Sequence, residues 1–560
     1  MVTQVFKFLN KEIRGLHEAA YLLAIFAFLS QFMALIRDRL FAARFGAGEA
    51  LDVYYAAFRI PDFLFVVISS LVSVSVMVPF IIRYLEKSKP ETKDFINSVF
   101  SVMVILSLGL AVFAFVFTPK ILNILVPDLI GDGFARDLIL ITRIILLQPI
   151  FLSLSSLFGS IIQVYKRFMI YALSPLLYNF GIIVGLLFFY PKWGISGLAF
   201  GVVLGALLHF LIQVPSVGKR GLVPKFTLKI NFTQITEVLT LSIPRTLALT
   251  ANQLILIFMT AISSAMAVGS IAVFTLSFNL QSVPLAIIGV SYSLAAFPTL
   301  SRLFSRGETK SFVEHISRAA KHIIFWSLPV TILFIVLRAQ IVRTILGAGE
   351  FSWNATRLTA ASLAFFALSV LAQSLILLFV RGYYSAGETK KPLFFAAIST
   401  ITTIVSAYLL VFVFQNMPSF QLIVERLMRV EGISGTVVLM LPLAYSIGQI
   451  LYAFLLWVSF DREYALFSDS LWRPALHSLG ASLIMGYVAF LMLQVLDNVF
   501  DLNTLIGIFS QGFLAGVTGI FAAILVLILL KNEEIKTVWK TMHKKIWKTK
   551  LVAVEPEELS

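Results

Sequence analysis

The segment LIGIFSQGFLAGVTGIFAAILVLILL, Leu505 to Leu530, runs for 26 residues without a charged side chain. Lipid offers no partner to a backbone N–H or C=O, so such a run is stable in a bilayer only as a helix that bonds to itself. About 20 apolar residues are enough to cross. This one segment therefore predicts a membrane protein, and the rest of the chain is read against that expectation.

Further apolar runs lie near 18–36, 53–82, 95–117, 137–163, 168–190, 194–214, 237–265, 270–299, 318–337, 357–380, 391–414, 434–458 and 472–496. Together with 505–530 they predict an all-α, polytopic membrane protein with fourteen transmembrane helices. Composition agrees: 59% of the 560 residues are hydrophobic and 13% are charged, against roughly 25% charged in a soluble domain. The N-terminal Lys7, Lys11 and Arg14 precede an apolar run that ends in Arg37-Asp38-Arg39 rather than a small-residue cleavage site. That run reads as the first span and not as a removed signal peptide.

The formal charge is +15, but the cations sit in short connections and form no stripe of the kind nucleic acid requires. They fall on alternate loops: Arg83/Lys87/Lys89/Lys93, Lys166/Arg167, Lys219/Arg220/Lys225/Lys229, Arg302/Arg306/Lys310, Lys390/Lys391 and the tail Lys531 to Lys550. The opposite connections are poorer in Lys and Arg. By the positive-inside rule the cationic side is cytoplasmic, which predicts a multi-pass protein of a cytoplasmic membrane with both termini inside. In the tail, Lys536, Lys540, Lys544 and Lys548 recur at helical spacing with Trp539 and Trp547 between them, as a solvated basic tail or a segment lying on an anionic leaflet.

The chain also resembles itself at an offset near 220 residues. Pro79-Phe-Ile-Ile-Arg83 followed by Glu91-Thr-Lys-Asp-Phe95 echoes Pro298-Thr-Leu-Ser-Arg302 followed by Glu308-Thr-Lys-Ser-Phe312. Lys120 to Leu125 likewise echoes Gln340 to Leu346. These matches predict two pseudo-symmetric six-helix bundles, residues 1–215 and 216–460, then two additional helices in 461–531 and a basic tail, 532–560. Two bundles around a shared cavity suit alternating access.

An ionisable group inside a span costs about 2.5–3.5 kcal/mol on insertion scales, so each one needs a partner, a cavity or water. The densest polar group is Gln31, Arg37, Asp38, Arg39, Arg44, Asp52, Arg59 and Asp62 around the first two spans. Arg37, Asp38, Asp52 and Arg59 are expected at the cavity, while Arg39 and Arg44 are as well explained by water or head groups. Arg143, Gln148, Asn179, Arg245, Asn252, Gln253, Asn279 and Gln281 are further intramembrane polar positions. Asn179, Asn252 and Gln253 are more often interhelical hydrogen-bond partners than ligand contacts. Gly181-x-x-x-Gly185 and Gly512-x-x-x-Gly516 mark close helix packing. The sequence has no Cys, which excludes disulfides and thiolate chemistry. Walker A, His-Glu-x-x-His and Gly-x-Ser-x-Gly patterns are also missing, so ATP hydrolysis, zinc chemistry and any cofactor are unsupported.

The stretch Ser30-Gln-Phe-Met-Ala-Leu-Ile-Arg37-Asp38, with Phe45-Gly-Ala-Gly48, Asp52 and Phe58-Arg-Ile-Pro61, resembles the signature of the MurJ/MviN family. Phe158 to Phe168 with Pro175 and Asn179, Phe297 to Ser301, and Gly382 to Pro392 extend the resemblance through twelve spans. The resemblance implies a divergent lipid II flippase related to the MATE-like exporters of the MOP superfamily. Its substrate would be the undecaprenyl-diphosphate-linked peptidoglycan precursor, and its partners membrane lipids and cell-wall synthesis machinery. It also implies that Arg37 contacts phosphate, that Asp38, Asp52 and Arg59 shape the site, and that a groove at the last two helices takes the lipid tail. The chain departs from the family pattern at three arginine positions, which here align with Gln31, Phe65 and Asn279. Gln31 and Asn279 keep hydrogen-bonding capacity without the guanidinium charge. Rival readings are a flippase for another polyprenyl-linked glycan, a MATE-like drug or cation antiporter, and a membrane enzyme on lipid-linked sugars. The antiporter would require acidic cavity residues, and the spans of 237–458 show almost none. The enzyme lacks a long catalytic outer loop, since 415–433 offers only Glu425, Arg426, Arg429 and Glu431 on what reads as an amphipathic surface helix.

Overall fold

The computed structural model describes residues 16–72, 74–464, 467, 471–532 and 534–536, which are helical with no strand among them. The helices are α1 (Leu16–Phe45), α2 (Glu49–Lys87), α3 (Lys89–Leu125), α4 (Ala135–Val164), α5 (Phe168–Trp193), α6 (Ile195–Gly218) and α7 (Phe232–Ser264). They continue as α8 (Ser270–Ser305), α9 (Thr309–Val336), α10 (Trp353–Ala367 with Val370–Ser385), α11 (Lys390–Asn416), α12 (Thr436–Glu463), α13 (Trp472–Leu496) and α14 (Leu505–Leu529).

Each of the fourteen apolar runs maps to one of these helices. Among the described residues twelve helices are long and apolar enough to span, and α10, bent by 42° between its two pieces, makes a thirteenth. The remaining run belongs to α1, whose 30 residues extend about 45 Å at 1.5 Å per residue. The sequence predicts a single straight span over 357–380. The structure breaks it between Ala367 and Val370, where the Ser369 hydroxyl donates to the Phe366 carbonyl at 2.8 Å.

Close packing follows the small residues. A methyl group on Gly181 would lie 2.3 Å from Gly205 Cα, and one on Gly185 would lie 2.5 Å from Gly201 Cα. The Gly181/Gly185 motif of α5 therefore meets a second glycine row on α6, and the two backbones touch. The Gly512 motif works against a different partner, since its methyl would sit 2.8 Å from Gln340 Cβ. Gln340 lies in the short helix Arg338–Leu346 that follows α9.

The last two helices pack on each other, α13 also on α9 and α14 on the short helix Arg338–Leu346, with a small core of Phe325, Ala481, Met485, Ala523 and Leu527. Gln340 Nε2 donates to Gln511 Oε1 at 3.1 Å, and Gln511 Nε2 donates to the Leu493 carbonyl at 3.0 Å. Along the outside, Phe113 and Val116 on α3, Val405 and Phe412 on α11, and Phe513 and Phe521 on α14 are exposed. In lipid, unlike water, such a surface is the favoured one.

The connection between α6 and α7 runs along α3. Lys225 N donates to Asn97 Oδ1 at 2.7 Å and Thr227 N to Ser101 Oγ at 2.8 Å. Past α14 the chain returns to α9, where Glu534 meets His322 Nδ1 at 3.0 Å. The remainder of the basic tail, including Trp539, Lys540, Lys544, Trp547 and Lys548, lies outside the described residues, as do Lys7, Lys11 and Arg14.

Candidate functional site

A cavity of about 370 Å³ lies among α1, α2, α4, α5, α7 and α8. Eight aromatic rings line it: Phe41, Tyr54, Tyr55, Phe58, Phe65, Tyr178, Phe274 and Phe278. Its polar lining is Arg37, Arg59, Asp62, Gln148, Thr275 and Asn279. Aromatic walls with a few fixed polar groups are characteristic of a ligand site.

Arg37 is held from two helices, its own α1 and α5. Its Nε and Nη2 donate to Asp38 Oδ1 at 2.9 and 2.8 Å, and its Nη1 donates to Asn179 Oδ1 on α5 at 3.0 Å. The other Asp38 oxygen accepts from Asn279 Nδ2 on α8 at 3.0 Å. A polar relay Asn179–Arg37–Asp38–Asn279 thus crosses the middle of the molecule. Gln31 lies beyond it on α1, outside the cavity lining, and donates to Ser282 Oγ on α8 at 3.1 Å.

Arg59 approaches from α2. Its Nε donates to Thr260 Oγ1 on α7 at 2.6 Å and its Nη2 to Thr275 Oγ1 on α8 at 3.3 Å. Asp62, one turn along α2, accepts from Gln148 Nε2 on α4 at 3.2 Å. A guanidinium bound only to hydroxyls keeps N–H groups available to a ligand, because neutral acceptors compete weakly with an anion.

Asp52 is placed elsewhere. It is absent from the cavity lining, and its two oxygens accept from Gly269 N at 2.6 Å and Ala272 N at 2.7 Å. These are the unpaired amides at the start of α8, so Asp52 caps that helix from α2. Gly269 (φ +87°) is required here, because a Cβ would fall 2.1 Å from the Ala47 carbonyl oxygen. Nearby, Glu350 N donates to the Ala43 carbonyl at 3.0 Å, and Arg39 Nη1 donates to Thr344 O at 2.6 Å. Residues 43–52, 265–272 and 344–350 together shut the molecule on the side of the α1–α2, α7–α8 and α9–α10 connections.

Of the sequence candidates, Arg37, Arg59 and Asn279 line the cavity, Asp38 stands directly behind Arg37, and Gln31 and Asp52 join helices nearby. Arg143 faces outward, donating to the Phe115 carbonyl at 3.1 Å. Arg44 lies over the Tyr190 ring at 5.6 Å. Sequence reasoning gave no role to Asp62, Gln148 or the aromatic lining. For Asp62 the signal was present, since it stands three residues from Arg59 inside an apolar run.

A family model described as lipid II flippase MurJ matches residues 41–510. The chain belongs to the MurJ family. A lipid II flippase MurJ of Burkholderia cenocepacia is 27% identical over 402 residues, 69% of this chain and 76% of its own. A probable lipid II flippase MurJ of Thermotoga maritima is 27% identical over 516 residues, covering 91% and 96%. Among solved structures, lipid II flippase MurJ in an inward closed conformation superposes with a TM-score of 0.69 at 24% identity, covering 94% of this chain and all of its own. An inward-facing MATE transporter of the MOP superfamily gives 0.62 at 15% identity over 78% of this chain and 96% of its own. Both share the fold.

The cavity lining carries little net charge. Phe65 and Asn279, two of the three positions where the resemblance implies arginine, line it. The formal charges of Arg37, Arg59, Asp62 and the Asp38 behind Arg37 cancel.

Proposed function

We propose that the chain is a multi-pass bacterial membrane flippase that carries lipid II from the inner to the outer leaflet by alternating access. The carrying observation is the half-buried Arg37 relay and Arg59 lining one aromatic cavity, in a chain of the MurJ family. A diphosphate presents oxygens to two guanidinium groups, and the rings give sugar faces an apolar floor. The lipid tail stays outside, along the α13–α14 groove. The protein is a transporter and not an enzyme, and partners from cell-wall synthesis belong to this reading.

In this proposal residues 1–215 and 216–460 form the two moving bundles, and the Lys/Arg-rich connections and both termini face the cytoplasm. The closed side is then the outer one. At about 370 Å³ the cavity is near the lower end for small-ligand pockets, so a diphosphate-sugar head group enters only after the helices part.

The balanced cavity charge favours a second reading, a flippase for another polyprenyl-linked glycan. Complementation of a bacterium depleted of its own lipid II flippase decides between them. Rescue by the wild type and loss of rescue by Arg37→Ala is the expected result. Full rescue by Arg37→Ala overturns the role given to Arg37. A membrane-inserted wild type that never rescues transfers the assignment to the second reading.

A further inference from the structure

The connection between α11 and α12 carries a short helix, Pro418–Met428, away from the central cavity. Leu422, Ile423 and Leu427 on it are exposed, while Glu425 turns inward to accept from Gln421 Nε2 at 2.9 Å and Thr436 Oγ1 at 2.7 Å. A helix with an apolar outer face at the end of two spans lies in the bilayer interface.

Its C-terminal end gathers three arginines from separate segments. Arg338 Nη2 donates to the Met428 carbonyl at 3.4 Å and its Nη1 to Ile335 O at 2.9 Å. Arg357, at the start of α10, donates through Nε and Nη2 to the Arg429 carbonyl, the Nε bond being 2.9 Å. Arg429 itself closes the helix at φ +60°, a left-handed position where glycine is the usual residue. Its guanidinium stands 5.9 Å from the Phe490 ring of α13.

Among the described residues, no carboxylate lies within ion-pair distance of these three arginines. The two nearest in sequence are committed elsewhere, Glu425 as above and Glu431 to Arg426 Nε at 3.0 Å. Burial first, and then the charge of Arg429, push the Arg338 pKa below its ordinary value. Capping the helix carbonyls accounts for part of Arg338 and Arg357. It does not account for an arginine at a glycine position with no acceptor, held beside two other cations. The ligand class that such a group of guanidinium donors fits is an anion with several oxygens.

We infer that Arg338, Arg357 and Arg429 form a binding site for the phosphate of an anionic phospholipid head group, whose acyl chains lie against Leu422, Ile423 and Leu427. Under the topology above this is the outer leaflet, although the chemistry of the site is independent of that orientation and of the central cavity. Charge complementarity and the adjoining apolar face select a lipid over a free anion.

The test uses the purified full chain in detergent, titrated with phosphatidylglycerol, phosphatidylcholine, inorganic phosphate or undecaprenyl diphosphate, with bound lipid counted by native mass spectrometry. Phosphatidylglycerol is expected to bind at least tenfold more tightly than phosphatidylcholine. Arg338→Gln/Arg429→Gln should abolish that preference. The exposed Arg429→Gln alone, which leaves the buried contacts intact, should reduce it severalfold, and Arg306→Gln on the opposite side should leave it unchanged. Equal binding of the two phospholipids, or an unaltered preference in both Arg429 variants, overturns the site. Competition by free phosphate at similar concentration, or capture of undecaprenyl diphosphate in place of phosphatidylglycerol, overturns the phospholipid assignment. None of these readouts depends on flippase activity.

Discussion

Arg37 and Asp38 are neighbours in the chain and partners in space: two guanidinium nitrogens bind one carboxylate oxygen at 2.9 and 2.8 Å, leaving the other oxygen to Asn279. The pair joins α1 to α8 and at the same time withholds the Arg37 charge from the cavity. A diphosphate must therefore compete with Asp38 for this guanidinium.

Asp38→Asn removes that competitor. Inorganic pyrophosphate is expected to bind the purified variant severalfold more tightly than the wild type, as read by calorimetry. Thermal stability should fall, by less than the ~3–5 kcal/mol typical of breaking a buried pair, because the Arg37 side chain is 20% exposed. Unchanged pyrophosphate affinity would mean that Asp38 does not restrain Arg37.

Asp52 predicts a different phenotype. Asp52→Ala leaves two buried amides of α8 without an acceptor, at about 1–3 kcal/mol for each unsatisfied group. A clear drop in melting temperature is expected, with Asp52→Asn milder because one acceptor oxygen remains. Pyrophosphate binding in the folded fraction should be close to wild type, since Asp52 does not touch the cavity. A selective loss of binding without loss of stability would contradict the capping role.

The α5–α6 seam is testable by a single methyl. Gly181→Ala and Gly201→Ala should each destabilise the protein, overpacking costing about 1–3 kcal/mol. Gly109→Ala on α3, where nothing lies within 4 Å, should be neutral or slightly stabilising. Detergent thermal-shift assays separate the two classes, and equal effects at Gly181 and Gly109 would refute the seam.

A fourth expectation concerns pH at the return from α14 to α9. The His322 hydrogen bond holds the Glu534 carboxyl below its ordinary value of 4.5. A depressed carboxylate pKa contributes stability above the ordinary value, and that stability is lost as pH falls through the lower folded value. The melting-temperature gap between wild type and Glu534→Gln should be full near neutrality and shrink below about pH 4.5. A gap independent of pH would assign it to packing instead.

The fourteen helices were legible because lipid enforces one rule on every residue of a span, and runs such as Leu505 to Leu530 have no other reading. Arg37 and Arg59 were legible for the converse reason: a guanidinium inside such a run needs an explanation. Tyr54, Tyr178 and Phe278 were not, because an aromatic ring in an apolar run looks the same whether it meets lipid or lines a cavity. The role of Asp52 was hidden by distance, its partner Gly269 being 217 residues away, with nothing in local spacing to join them. The bend in α10 between Ala367 and Val370 leaves no trace in hydropathy.

The glutamine clasp between Gln340 and Gln511, with the tight seats of Gly486 on Ile332 and Gly512 on Gln340, fixes α13 and α14 to α9. In the proposed transport cycle these three helices therefore move together. A hydrocarbon tail resting along α13–α14 then keeps a constant address on the protein while its polar head changes surroundings. In that proposed cycle the long chain is ferried by the moving part and need not slide across it.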